Sequence, residues 1–208
     1  QSQDDLQQRA ENADPLVEAV IDTWQILGKL VIDEDNLQIQ RTWLWGTDSQ
    51  KAALVLKFAH GRQPLDVSLV PGTSLKGKLI FYPGTGLQRA FVAVREDTTV
   101  HPPAPTGVSI ETAIQHYAQA LSQNPWLERF PLVLSQVSPY PRDDGWWLQD
   151  SNHHALPMAY GFQRQWDMVS IGGGYPITVF GEWDGTTFLP LSLWAGPPSE
   201  PRFYPLGD

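Results

Sequence analysis

The 208-residue chain is 41% hydrophobic and 18% charged, with nine Trp, six Tyr and eight Phe. So many rings with so little charge exclude a disordered chain, and 18 Pro and 17 Gly without a repeat period exclude collagen while predicting many turns. A formal net charge of −9 disfavours nucleic acid and anionic membranes as partners, the absence of Cys excludes disulfides and thiolate metal sites, and no apolar run approaches the roughly 20 residues of a membrane helix.

In residues 1–36, Asp14-Pro15 reads as a helix N-cap with a first-turn proline. Leu16, Val17, Val20, Ile21, Trp24, Leu27, Leu30 and Val31 follow at spacings of three and four, which predicts an amphipathic helix over 15–31. The acidic run 33–36 ends it, because carboxylates oppose the helix dipole there.

From 37 to 101 the period becomes two. TWLWG (42–46), AALVLKF (52–58), GKLIFY (77–82) and QRAFVAV (88–94) read as strands separated by turns at GTDSQ, HGRQP, VPGTS and PGTG. They predict a first small antiparallel barrel or sandwich.

The segment 102–130 holds a stiff proline linker and a second helix, capped by Ser109, with Ile110, Ala113, Ile114, Tyr117, Ala118 and Leu121 on one face. Asn124-Pro125 stops it. A second β-module over 131–195 follows, with strands PLVLSQV, GWWLQD, ALPMAY, MVSI, PITVFGEW and TFLPLSLW and hairpin turns at DDG (143–145) and WDG (183–185). The tail 196–208 has too much proline for regular structure. The predicted class is β-rich α+β, two small β-modules each preceded by an amphipathic helix. WGTDSQKAAL (45–54) aligns without gaps on WLQDSNHHAL (147–156) with five matches, the pattern of a tandem duplication.

Residues that resemble reactive sites have simpler readings. GTSLKGKL (72–79) lacks the final Ser or Thr of a phosphate loop and runs into a predicted strand. Gly172, Gly173 and Gly174 read as a bulge or tight turn. Adjacent His153 and His154 point to opposite faces of a strand, so one metal ion does not suit both. Asp143 and Asp144 precede a glycine and read as a turn. No catalytic residue, cofactor site or metal site is assigned, and the chain is expected not to be an enzyme. The absence of Cys fits a cytoplasmic protein, and the start at Gln1 without Met fits a segment of a longer chain.

The Trp residues in predicted strands read first as core. The alternative is an aromatic binding face: Trp43 and Trp45 share a strand face, and Lys51, Lys57, Lys76, Lys78 and Arg89 lie in the same module, which carries eight bases and four acids. That set is the candidate interaction surface, and single-stranded nucleic acid is the alternative ligand it suggests. A further alternative is a hydrolase assembled from His153, Asp150 and Asp184.

Residues 41–92, together with NPWLERFPLVL (124–134), GWWLQD (145–150) and FGEWDGTTFLPLSLWA (180–195), resemble in the same order the region that follows the metal motif in bacterial SWIM zinc-finger proteins. The family's CxCx(n)CxH motif needs three thiolates and a histidine, so no zinc ligand carries over to this Cys-free chain. The resemblance implies an accessory, non-catalytic region that works through protein–protein contacts. The family's bacterial members accompany MoxR-type ATPases and von Willebrand A-domain proteins, which makes these the expected kind of partner.

Overall fold

The computed structural model describes residues 2–12, 14, 17–60, 65–84, 88–100, 103–197 and 199–207, which fall into two compact units over 1–102 and 103–207. Pro15 and Leu16, residues 61–64 and 85–87, which overlap the expected turns HGRQP and PGTG, and His101-Pro102 lie outside the described residues. Among the described residues there are three helices and eleven strands, so the chain is β-rich α+β. None of these helices is long and apolar enough to cross a membrane.

The first unit opens with α1 (Gln3–Glu11), N-capped by Ser2, whose side chain accepts from the Asp5 amide. Its Leu6 is fully buried and packs with Val17, Ile80 and Phe91. The stretch expected to be a helix over 15–31 is instead the 16-residue strand β1 (Ala19–Glu34). Its centre, Trp24 to Gly28, is buried throughout, so apolar side chains occupy both faces and their spacing imitates a helix. The acidic run does not end a helix. Glu34 pairs with Leu37 across a two-residue hairpin turn, in which Asp35 takes a positive φ of 53°.

β2 (Leu37–Gly46), β3 (Ala52–His60), β4 (Thr73–Phe81) and β5 (Arg89–Val100) complete a closed sheet of order β1-β2-β3-β5-β4. The long β1 closes it by serving two partners. Residues 19–25 pair with β4 and residues 24–34 with β2, and a register shift between Ile26 and Gly28 bends the strand. Trp24, Leu44, Val55, Leu75 and Leu79 fill the interior, where the Trp24 indole donates to Gly77 O at 3.2 Å. Leu69, on the connection between β3 and β4, is buried in the same core. Gln40, buried to 1% exposure, ties this connection down by donating to Asp66 O at 2.9 Å.

The second unit contains α2 (Ile110–Gln123), β6 (Phe130–Arg142), β7 (Gly145–Asp150), β8 (Ala155–Pro157), α3 (Gln165–Gly172), β9 (Ile177–Trp183), β10 (Phe188–Ala195) and β11 (Arg202–Pro205). The sheet order is β11-β10-β9-β6-β7-β8. It curls so far that Met158, just past β8, bridges Phe188 at the start of β10. Ser109 caps α2 by accepting from the Thr112 amide at 3.2 Å, and Ile110 and Ala113 of that helix pack with Leu134, Leu148, Val179 and Met168 of α3.

Two expectations in this unit are corrected. MVSI is not a strand but part of α3, and Gly173 (φ 58°) is the left-handed residue that ends the helix. The tail contains β11, since Pro205 sits at the end of an edge strand, where a missing amide costs no ladder bond. The aligned segments 45–54 and 147–156 both form hairpins but in different register. Trp45 pairs with Ala52, whereas its counterpart Trp147 pairs with Pro157. α2 precedes its sheet as expected; the helix expected over 15–31 is a strand, and the helix that precedes the first sheet is α1 instead.

Candidate functional site: an aromatic ledge on the second unit

The β6–β7 hairpin turns tightly at Asp143-Asp144, with Arg142 paired to Gly145, Pro141 to Trp146 and Tyr140 to Trp147. Directly paired residues share a face, so Tyr140 and Trp147 stand together on one side and Trp146 on the other. The Arg142 guanidinium lies over the Trp147 ring at 4.3 Å and over Tyr140 at 5.6 Å. The Trp147 indole N–H donates to Asp144 Oδ1 at 3.0 Å, which fixes the ring under the cation.

On the opposite face, α3 lays Trp166 against Trp146 with centroids 4.9 Å apart and planes at 78°. Arg164, at the start of α3, binds Asp167 at 2.8 Å and donates to Pro205 O at 2.9 Å, tying the helix end to β11. Tyr160 lies alongside Gly145. Trp166 is 68% exposed and Tyr160 83%. The hairpin tip thus presents Trp, Tyr and Arg side chains held in place from within, with mixed charge around them. These are the residue types that dominate the energetics of protein interfaces.

The residues singled out in the first unit are not brought into one surface. Trp43 is buried at 2% exposure, and Trp45 is half-buried. Lys51 pairs with Glu18, Lys76 with Glu96 at 3.7 Å, and Arg89 stacks over Tyr82 at 4.7 Å. Lys57 pairs in register with the interior Gln40, on a different face from Lys78, which lies between Ile21 and Val94. Of the six strand Trp read as core, Trp43, Trp183 and Trp194 are buried, and Trp45, Trp146 and Trp147 are half-buried. Trp24, in the stretch expected to be a helix, is fully buried in β1.

The carboxylates considered for chemistry serve their own turns. Asp150 accepts from the amides of Asn152 at 2.9 Å, His154 at 3.0 Å and Ile110 at 3.3 Å. Asp184 accepts from the amides and hydroxyls of Thr186 and Thr187 at 2.7–3.0 Å. Burial alone would raise the Asp184 pKa, but these bonds outweigh it and hold the group at about 2. In the first unit Asp22 plays the same part. It accepts from the Asp48 and Ser49 amides and from the hydroxyls of Thr47 and Ser49 at 2.6–3.3 Å. Against the upward push of burial, the bonds from Ser49, Asp48 and Thr23 hold its pKa below the usual carboxylate value. His154 Nδ1 is 3.7 Å from Asp150 Oδ2. Among the described residues, no group of three His, Asp or Glu is placed to hold a metal ion.

Sequence reasoning missed Tyr140, Arg142, Tyr160 and Trp166. A signal was present in QRQWDM (163–168), where a large ring stands among polar residues. Its meaning depends on recognising α3. No family model, curated protein or solved structure matches this chain.

Proposed function

We propose that this chain is a non-catalytic protein–protein interaction region whose docking surface is the ledge at the β6–β7 hairpin tip, with Tyr140, Arg142 and Trp147 on one face and Trp146 and Trp166 on the other, and Tyr160 alongside the turn. One observation carries the reading: Arg142 is clasped by two rings on one face of the β6–β7 hairpin, while on the other face the half-buried Trp146 backs the exposed Trp166. A guanidinium already ordered on aromatic faces loses little conformational freedom when a partner covers it. The use of Asp22, Asp150 and Asp184 as turn staples supports a structural role for these acids over a catalytic one.

The likeness to SWIM-type proteins supplies the setting, an accessory segment working beside a MoxR-type ATPase or a von Willebrand A-domain protein. The test is affinity capture from the source cell with the wild-type chain and with an R142A/W166A double variant. The expected result is a stoichiometric partner that the wild type retains and the double variant loses by at least about tenfold, as when hot-spot side chains are truncated. Capture of no stoichiometric partner, or equal retention by both chains, overturns the proposal. An oligonucleotide titration at low salt checks the nucleic-acid alternative, which requires salt-dependent affinity.

A further inference from the structure

A second site lies at the other end of α3 from the ledge. The C-terminus of this helix, the start of β9, the end of β10 and Gly196, Pro197 and Pro201 after it line a half-open cavity of about 700 Å³ within the second unit. Its wall includes Gln136, Tyr175, Pro176, Thr178, Trp194 and Pro201, and among the described residues it carries no charged side chain. The volume falls in the range of ligand sites, roughly 300–1,000 Å³.

Gln136 is held there by a distortion. It has φ 55°, a left-handed conformation that non-glycine residues rarely adopt, at the register shift between Leu134 and Val137 where β6 faces β9. The adjoining backbone is fixed from the other side, since Val108 donates to Val133 O and accepts from the Ser135 amide at 2.9–3.0 Å. A strained backbone fixed on both sides and carrying an exposed amide at a cavity wall marks a binding residue rather than a filler.

We infer that this cavity binds an uncharged, proline-rich peptide segment in the polyproline II conformation. This site goes beyond the ledge and does not depend on it. An uncharged wall does not compensate the desolvation of an ionic ligand. A polyproline strand has no internal hydrogen bonds, leaves its carbonyls free as acceptors and presents flat pyrrolidine faces. The wall answers each feature. Gln136 and Thr178 supply neutral donors, and Tyr175, at 77% exposure, supplies a ring face beside Pro176. A neutral sugar would bring hydroxyl donors on all sides, which carboxylates best receive, and the wall has none. The Trp194 indole N–H, buried without an acceptor, provides a reporter at the wall.

The experiment is an NMR titration of the whole chain with a capped oligoproline peptide, a capped Gly-Ser peptide of equal length and a neutral oligosaccharide. Saturable shifts of the Trp194 indole and Gln136 amide resonances with oligoproline alone are expected. Y175A should weaken binding about five- to tenfold, the loss of one stacking ring. Q136G should weaken it too while keeping the fold, since glycine accepts the left-handed backbone without strain. W166A should leave it unchanged, which separates this site from the ledge. Absence of shifts, equal shifts with the Gly-Ser peptide, a response to the oligosaccharide alone, or undiminished binding by both cavity variants overturns the inference.

Discussion

Trp166 of α3 meets Trp146 of β7 edge-on, and the pair joins a largely exposed ring to one that packs on the core of the second unit. Truncating the outer ring removes the contact without opening the core. W166A is therefore expected to lower stability by only about 1 kcal/mol, the worth of an aromatic pair, while abolishing partner capture. Urea denaturation gives the first quantity. A loss above about 3 kcal/mol would show that Trp166 is a core residue.

The carboxylate of Asp184 governs an acid transition. Its folded pKa of about 2 lies below an unfolded value near 3.9, so its contribution is complete above pH ~4 and disappears as pH falls through ~2. A shift of that size is worth up to about 2.6 kcal/mol, and solvent access to the half-buried turn reduces it to about 1–2 kcal/mol. D184N should lose that stability at neutral pH and show a flatter pH dependence between 4 and 2. Asp22 and Asp66, also held below their ordinary values, leave it a residual slope of the same sign. Urea midpoints across this pH range check the difference, and parallel curves for the two proteins would refute it.

Asp22 links β1 to the β2–β3 turn. Replacing it with Ala strands the Asp48 and Ser49 amides beside a buried void, at a cost of about 3 kcal/mol. The turn should then exchange its amides with deuterium far faster than the strands beyond it. Unchanged protection at Asp48 and Ser49 would show that another group holds the turn.

Gly181 is enclosed by β10. A Cβ there would collide with the Leu189 carbonyl and come within 2.6 Å of the Phe188 ring. G181A is expected to cost about 2–3 kcal/mol, the penalty of overpacking against backbone that cannot yield. Thermal unfolding checks it, and a wild-type midpoint would mean that β9 and β10 separate at no cost.

The sequence exposed the fold best where side-chain alternation coincided with turn chemistry. GWWLQD spans the same residues as β7, and Ser109 and Asn124 bound α2 as their capping roles predict. It misled where burial on both faces erased alternation, as in β1, or where a short helix lacked a side-chain cap, as in α3. α1 was missed because its mostly polar residues leave Leu6 as its one fully buried anchor. The ledge was half legible. The Trp146-Trp147 doublet is visible in the string of letters, but Trp166 and Tyr160 arrive from elsewhere in the chain, and only tertiary packing brings them to the hairpin.

The first unit's ring of strands is joined unevenly. Among the described residues, β3 and β5 meet through two parallel pairs, Leu54 with Arg89 and Val55 with Ala90, against the nine to ten pairs along β2–β3 and β1–β2. A clasp that short is where the ring comes undone first under heat or force. Once undone, it offers two unsatisfied backbone edges to a neighbouring molecule, so crowding should convert lone chains into interlocked dimers through this joint before any other.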